Sequence, residues 1–245
     1  MHIAADSAIP HLESNLKRVL SEQEFSLSYF KNSEFRTLNQ EDIDILLIRS
    51  TTKINESTLK SNSIKFIGSA TSGIDHIDTK FLERQGIKWA HAPGCNAWSV
   101  VHYVMSALEI VYTQGLATIS NGIGIVGYGN IGTKLESILK ALSIPYTLYD
   151  PIALPSSTKS LEDVFDHDVV SLHVPLTKTG DFPTYHMIDS KELKQLEFKT
   201  LINTSRGEVI NENILDDFTS MNLIADVWEK EPIIEEKFFE KALVY

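Results

Sequence analysis

The sequence predicts an α/β fold in which helices cover a parallel β-sheet. Short runs of β-branched and apolar residues alternate along the chain with segments whose apolar residues recur at helical spacing. Six of the 12 glycines lie within residues 115–132, which indicates a strand-to-helix turn that needs backbone freedom. Hydrophobic residues make up 42% of the chain and charged residues 22%, as expected of a folded globular protein.

The N-terminal part of the chain predicts a small α/β unit of its own. Its predicted elements are strands at 43–48, 64–67 and 87–90 and a helix at 80–85. After Pro93-Gly94, apolar residues at helical spacing over 100–111 predict a long helix. We therefore expect two domains, 1–95 and 96–245, with the boundary near residues 94–98.

The C-terminal part predicts a second, larger α/β unit. Strands and helices alternate in it, which is typical of a parallel sheet with crossover helices. The predicted strands are 123–126, 146–149, 169–174, 201–204 and 223–227, and the predicted helices are 131–142, 160–165, 190–195 and 212–218.

The charge balance excludes two classes of partner. Lys and Arg number 22 and Asp and Glu 33, which gives a net charge of -11 at pH 7 and repels phosphate backbones and anionic membrane surfaces. We therefore expect no nucleic-acid partner and no membrane association. A stretch without Asp, Glu, Lys or Arg at 89–108 is interrupted by Pro93-Gly94, which favours a buried loop and helix over a membrane span.

Cysteine usage limits the chemistry further. The single cysteine, Cys95, excludes an intrachain disulfide and a multi-cysteine zinc site. We expect no metal site, and one free cysteine is in keeping with a cytoplasmic protein.

The glycine-rich window contains a dinucleotide-binding pattern. An apolar strand runs into Gly127-x-Gly129-x-x-Gly132, and a helix with an apolar stripe follows. Gly127 would allow the tight turn, Gly129 would let a pyrophosphate approach the backbone, and Gly132 would let the helix lie close to the strand. The pattern predicts a Rossmann-type doubly wound parallel sheet. The predicted cofactor contacts in the turn are Gly127, Gly129, Asn130, Ile131 and Gly132.

An acidic residue completes this pattern. Asp150 follows the next strand, 23 residues after Gly127, where a carboxylate accepts hydrogen bonds from the adenosine ribose. No arginine follows it in 151–153, which favours NAD over NADP as the cofactor. Two alternatives remain: a purely structural turn with a solvated acid, and a nucleotide methyl donor bound by the same glycines.

Charged residues follow two further strands. Arg206, after the strand at 201–204, could bind a substrate carboxylate or carbonyl and polarise it. Asp226, Glu229 and Glu231 come after the next strand. On their own, these residues are equally compatible with surface ion pairs and solvated charges.

Taken together, four motifs resemble the D-isomer-specific 2-hydroxyacid dehydrogenase family. They are Gly127-Tyr-Gly-Asn-Ile-Gly132, His173-Val-Pro-Leu176, the segment 203–207 and the segment 226–232. Segments at 49–55, 70–78, 92–97 and 183–186 resemble the branch of this family that oxidises 4-phospho-D-erythronate. The resemblance covers nearly the whole chain.

The resemblance implies a role for each domain and for individual residues. Residues 1–95 would form the first part of a flavodoxin-like substrate domain, and 96–245 a NAD-binding domain. Arg206 would orient and polarise the substrate, and Glu231 would pair with a catalytic histidine. The other implied contacts are Ser50 and Thr71 with the substrate, and Asp150, His173, Val174, Pro175, Thr204, Ser205 and Asp226 with the cofactor.

The resemblance also implies an activity. The substrate would be a small anionic phosphorylated 2-hydroxy acid, 4-phospho-D-erythronate, oxidised by NAD at its 2-hydroxyl during pyridoxal phosphate synthesis by a possible homodimer. Glycerate, phosphoglycerate or another 2-hydroxy acid is an alternative substrate. The family's proton-transfer histidine lies beyond the Glu-Pro motif, whereas all eight histidines here precede Arg206. We therefore expect the natural chain to continue past Tyr245; the other interpretation is an inactive NAD-binding fragment.

Overall fold

The computed structural model describes residues 1–20, 24–156, 158–196, 199–217, 220–231 and 233–244. The chain folds as two compact units, Met1–Cys95 and Asn96–Tyr245. Among the described residues, no helix is both long and apolar enough to cross a bilayer.

The first unit is a five-stranded parallel sheet with short helices. Its elements are β1 His2–Asp6, α1 Leu12–Val19, β2 Ser26–Phe30, a 3₁₀ helix Asn32–Thr37, β3 Ile45–Ile48, β4 Phe66–Ser69, α2 Thr79–Arg84 and β5 Lys88–Ala90. The strands lie in the order β2-β1-β3-β4-β5, the flavodoxin-like arrangement. Ile3, Leu46 and Ile67 are fully buried on the central strands.

The first three elements of this unit escaped the sequence analysis. Helix α1 has only three apolar residues at helical spacing, Leu12, Leu16 and Val19, and none of its residues is buried, so its sequence signal is short. Strand β1 has two alanines among its five residues, which gives little β signal. The predicted strands at 43–48 and 64–67 begin two residues later than expected, at Ile45 and Phe66.

The second unit is a six-stranded parallel sheet with helices. It comprises α3 Ala97–Thr113, a 3₁₀ helix Ile119–Asn121, β6 Ile123–Val126, α4 Gly132–Ala141, β7 Tyr146–Tyr149, α5 Leu161–Phe165, β8 Val169–Leu172, α6 Ser190–Gln195, β9 Thr200–Asn203, 3₁₀ helices Gly207–Val209 and Glu212–Asp217, β10 Asn222–Ala225, α7 Glu236–Lys241 and β11 Ala242–Val244. Strands β6, β8 and β9 are buried at every residue. The predicted α/β fold class is confirmed in both units.

Two predictions for this unit were wrong in detail. The helix predicted at 212–218 is a 3₁₀ helix over Glu212–Asp217, and residue 218 lies outside the described residues. The strand predicted at 223–227 is β10, and a further strand that the sequence analysis did not predict, β11, pairs with it in parallel.

The strand order β11-β10-β9-β8-β6-β7 determines where a ligand can lie. From β6 the chain goes to β7 on one side and then to β8 on the other, so the order reverses between β6 and β8. In open α/β sheets, ligands bind beyond the carboxyl ends of the strands at this point. Since all the pairs are parallel, these ends share one edge. The strands end there at Val126, Tyr149, Leu172, Asn203 and Ala225.

Candidate functional site

The glycine turn, residues Gly127–Gly132, follows β6 at this edge. Gly127 has a φ of 101°, in the left-handed region, and a Cβ there would overlap the carbonyl oxygen of His173. A Cβ at Gly132 would overlap the carbonyl oxygen of Gly127. Both positions therefore require glycine, the first for its backbone angle and both for close packing of the turn.

Gly129 is different, because nothing in the protein fills the space beside it. No heavy atom lies within 4 Å of an added Cβ, and the residue is exposed. Asn130 is exposed and Ile131 half-buried. Helix α4 begins at Gly132, and its N-cap residue Ile131 makes no side-chain cap. The open side of the turn thus meets the positive end of a helix dipole, an arrangement that suits a phosphate group.

The carboxylate of Asp150 lies against the glycine turn. Strand β7 pairs with β6 so that Tyr149 lies opposite Val126, which puts Asp150 beside Gly127. Its Oδ2 accepts from the N–H of Tyr128 at 2.8 Å. Its Oδ1 accepts from the N–H groups of Ile152 and Ala153 at 3.0 and 2.8 Å. These backbone donors fix the carboxylate at the turn.

The side chain of His173, which follows β8, has a structural role. The imidazole is 8% exposed and bonds Ser171 Oγ at 2.9 Å and Thr204 Oγ1 at 3.1 Å. Burial lowers the pKa of His173 to about 3, so the ring is neutral. Its backbone lies against Gly127, and Val174 and Pro175 continue along the same edge, where they are half-buried and exposed.

The turn after β9 is held by Asn203. Its Oδ1 accepts from the N–H and hydroxyl of Ser205 at 3.1 and 2.7 Å, and its Nδ2 donates to the carbonyl of Arg206 at 3.0 Å. The hydroxyls of Thr204 and Ser205 therefore point into the protein, and both residues are buried. The half-buried Arg206 guanidinium donates to the carbonyl of Ser205 at 2.7 Å.

The segment after β10 packs directly on this turn. A Cβ at Gly207 would overlap the backbone of Trp228 and Glu229, so only glycine fits. The N–H of Asp226 donates to the carbonyl of Asn203 at 3.0 Å. We call the segments 203–207 and 226–231 the charged loop pair. The contact brings the loop with Arg206 and the loop with Glu231 together, as expected from neighbouring parallel strands.

Within the charged loop pair, the charge of Glu231 acts on the carboxylate of Asp226. Glu231 is exposed, and its Oε1 accepts from the N–H of Trp228 at 2.7 Å. Partial desolvation raises the pKa of Asp226, and the charge of Glu231 adds to the effect. Asp226 is exposed at the strand end, so it remains open to a ligand.

A histidine and two glutamates form a cluster that the sequence analysis missed. His186 Nε2 lies 3.0 Å from Glu229 Oε1, and both side chains are less than one-fifth exposed. The Glu229 N–H donates to Glu212 Oε1 at 2.6 Å, and the Glu212 N–H donates to Glu229 Oε2 at 3.4 Å. Burial raises the pKa of Glu212, and the hydrogen bond from the Glu229 N–H offsets part of this rise.

This cluster is joined to the charged loop pair through Glu229, which belongs to both. His186 has a φ of 51°, in the left-handed region that few non-glycine residues adopt. Its N–H donates to the carbonyl of Glu208 at 2.8 Å. The signal for the cluster was present, because Pro183-Thr-Tyr-His186 carries part of the resemblance, but a separation of 43 residues hides the pairing with Glu229.

Ser50 and Thr71 belong to the first unit. They follow β3 and β4, whose last residues Ile48 and Ser69 are paired in register. Ser50 is exposed. The Thr71 hydroxyl lies 2.6 Å from Ser69 Oγ and donates to the carbonyl of Gly73 at 2.9 Å. The two predicted substrate contacts therefore share the carboxyl edge of the first sheet.

Comparison with known protein families decides the identity of both units. Residues 4–166 match the catalytic domain of the D-isomer specific 2-hydroxyacid dehydrogenases, and residues 111–244 match the NAD binding domain of the same family. The chain belongs to this family. The predicted family membership is therefore confirmed, and NAD is the cofactor of the domain that the second match covers.

Several curated members of the dehydrogenase family are similar in sequence. Erythronate-4-phosphate dehydrogenase of Wigglesworthia glossinidia brevipalpis is 42% identical over 229 residues, 86% of this chain and 61% of the relative. The enzyme of the same name from Marinomonas sp. is 41% identical over 216 residues, 82% of this chain and 57% of the relative. The chain thus spans about three-fifths of the length of these relatives.

Solved structures of family members share the fold. NAD+-bound 3-phosphoglycerate dehydrogenase of Entamoeba histolytica superposes with a TM-score of 0.80 at 22% identity, covering 100% of this chain and 86% of that one. D-lactate dehydrogenase of Aquifex aeolicus gives a TM-score of 0.73 at 20% identity, covering 100% and 87%.

The residues present fit the family's cofactor. The open side of Gly129, the N-terminus of α4 and the fixed carboxylate of Asp150 provide space, positive potential and an acceptor in the order that a dinucleotide needs. No cluster of metal-ligating side chains occurs among the described residues.

Proposed function

We propose that the whole protein oxidises the 2-hydroxyl of 4-phospho-D-erythronate to the 2-oxo acid with NAD, in pyridoxal phosphate synthesis. The observation that carries the proposal is the glycine turn, in which Gly129 stays open while Asp150 is fixed beside it. Identity of 41–42% to curated erythronate-4-phosphate dehydrogenases supports the choice of substrate.

In this proposal, the second unit holds the cofactor along one edge of its sheet. The pyrophosphate lies over Gly129, Asn130, Ile131 and the N-terminus of α4, and Asp150 accepts from the ribose. Residues 173–175 and 204–205 line the site, and Asp226 accepts from the nicotinamide carboxamide. When bound, NAD accepts the hydride that leaves the substrate carbon.

The charged residues of the loop pair would act on the substrate. The guanidinium of Arg206 binds the carboxylate or the developing carbonyl and stabilises its negative charge. The carboxylate of Glu231 would pair with the family's catalytic histidine and raise the pKa of its imidazole, so that the imidazole can take the hydroxyl proton. Ser50 and Thr71 are further proposed substrate contacts.

Turnover of the full-length natural protein tests the substrate. We expect NADH formation with 4-phospho-D-erythronate at a kcat/KM at least about tenfold above the values for 3-phosphoglycerate and glycerate. Higher turnover with either of the other acids would refute the choice of substrate while leaving the enzyme class intact.

A second candidate concerns the 245-residue polypeptide by itself. All eight histidines precede Arg206, so this polypeptide would bind NAD but lack the proton-transfer group. We expect its turnover to be lower than that of a longer relative by at least about 10²-fold, the usual contribution of a positioned acid–base group. Comparable turnover would assign the proton transfer to a residue already present in the 245 positions.

A further inference from the structure

The glycine turn contains a large side chain that its proposed function does not use. Tyr128 lies between Gly127 and Gly129, where a phosphate would approach the backbone. Its N–H donates to Asp150 Oδ2 at 2.8 Å. Its hydroxyl donates to Glu136 Oε2 at 2.7 Å, eight residues further along. Tyr128 is therefore hydrogen-bonded to two carboxylates, through its backbone N–H to Asp150 and through its hydroxyl to Glu136.

Glu136 is an unusual residue for the helix that begins at a phosphate site. It lies on α4 and is only 9% exposed. A buried carboxylate is costly, and a negative charge near the helix start opposes an incoming pyrophosphate. A residue of this kind calls for a local reason.

The partners of Glu136 remove most of this cost. Its Oε1 accepts from the hydroxyl of Tyr146 at 2.9 Å and from Lys140 Nζ at 2.9 Å. Burial alone would raise the pKa of Glu136, but the hydrogen bonds from Tyr128, Lys140 and Tyr146 outweigh it and hold the pKa below the usual value. The carboxylate is thus charged, hydrogen-bonded at both oxygens and neutralised by a lysine.

We infer that Tyr128 and Glu136 are positioning residues that keep the glycine turn open for the pyrophosphate of NAD. The tether holds the phenol ring back along α4, away from the open side of Gly129. Without the hydrogen bond to Glu136, the ring is free to rotate over that space. Tyr128, whose N–H fixes Asp150, then keeps only one of its two hydrogen bonds. Binding NAD would then include the cost of ordering the turn. The inference rests on the proposed NAD site.

Tyr146 provides a matched control. It donates to the same carboxylate as Tyr128, but it lies at the start of β7 and not in the turn. Tyr128→Phe and Tyr146→Phe each remove one hydroxyl from Glu136. If the cluster served stability alone, the two variants would behave alike.

The experiment is a titration of the chain with NAD by isothermal calorimetry, together with thermal melts of each variant. We expect Tyr128→Phe to weaken NAD binding about five- to tenfold, within the net range of one hydrogen bond, and Tyr146→Phe to change it less than about twofold. The melting temperatures of the two variants should be similar. Equal affinities in the two variants would overturn the inference, whereas no binding by the parent chain would refute the NAD site itself.

A double-mutant cycle breaks the tether from its other end. Glu136→Ala leaves Tyr128 in the turn and removes its acceptor, so it serves even if Tyr128→Phe folds poorly. The double variant should bind NAD no more weakly than the weaker of the two single variants, because both lose the same contact. Fully additive losses would contradict the tether. Hydrogen exchange at 127–132 should rise in both single variants and stay unchanged in Tyr146→Phe.

Discussion

The glycine turn and the charged loop pair lie on the same edge of one sheet but are built in different ways. The glycine turn is shaped by backbone: a left-handed glycine, a helix start and N–H groups that fix one carboxylate, Asp150. The charged loop pair depends on interlocked segments, in which Gly207 packs on Trp228 and Glu229 is held by Glu212. The glycine turn has an open side at Gly129, whereas the charged loop pair is packed against Glu212. This edge of the sheet thus combines open space for a ligand with charged side chains that the packed loops hold in place.

Exchanging glycine for alanine should affect the two regions very differently, with the largest effect at Gly207. At Gly207 an added Cβ overlaps the backbone of Trp228 and Glu229, so we expect Gly207→Ala to lower the free energy of unfolding by at least about 3 kcal/mol. Gly129→Ala, beside open space, should change it by less than about 1 kcal/mol. Urea unfolding of both variants measures this. Equal losses would mean that the turn is as closely packed as the loop pair.

His173 lies between the two regions, touching Gly127 with its backbone and Thr204 with its ring. Its folded-state pKa of about 3 lies below the ordinary 6.5, so its contribution to stability is full above pH 6.5 and is lost as pH falls towards 3. At about pH 5 the loss relative to neutral pH amounts to about 2 kcal/mol. His173→Gln should flatten this dependence in urea unfolding.

The control for this prediction is His102→Gln, since His102 is exposed on α3. It should leave the pH dependence unchanged. If the free energy of unfolding of His173→Gln depends on pH as steeply as that of the parent protein, other groups cause the acid sensitivity.

Asp150→Asn tests whether the glycine turn binds a ligand. The variant keeps an oxygen acceptor for the turn but loses the charge, so we expect NAD affinity to fall about tenfold, the effect of one charge-assisted hydrogen bond. Asp181→Asn, at an exposed acid of the same unit, controls for net charge. Unchanged affinity in Asp150→Asn would remove the ribose assignment and leave the turn as a structural feature.

Glu212→Gln gives the smallest effect and tests the support of the charged loop pair. Burial raises the pKa of Glu212 above the ordinary 4.5, so its contribution to stability is full below pH 4.5 and is lost as pH rises through the raised value. The variant should therefore unfold with a free energy about 1 kcal/mol higher at pH 7 and with no gain near pH 4. The exposed Glu109 supplies the control, Glu109→Gln. A loss at pH 7 would mean that the charged form of Glu212 is needed.

The same contrast explains what the sequence could predict. The glycine turn is encoded locally, since each glycine and Asp150 follows a strand whose apolar run is plain, and β6 and β7 have the predicted bounds. His186 and Glu229 pair across 43 residues, and no local pattern records such a contact. Helix α1 was missed although Leu12, Leu16 and Val19 recur at helical spacing, because a pattern of three apolar residues in an eight-residue helix is a weak signal.

The three N–H groups on Asp150 also limit what a sugar can gain there. A carboxylate offers about four lone-pair directions in its plane. Two on Oδ1 are taken by Ile152 and Ala153 and one on Oδ2 by Tyr128. One acceptor direction is left, on Oδ2. A ribose diol has two hydroxyls to place, so Asp150 can satisfy only one of them unless a loop N–H gives way, and the second must find its acceptor elsewhere.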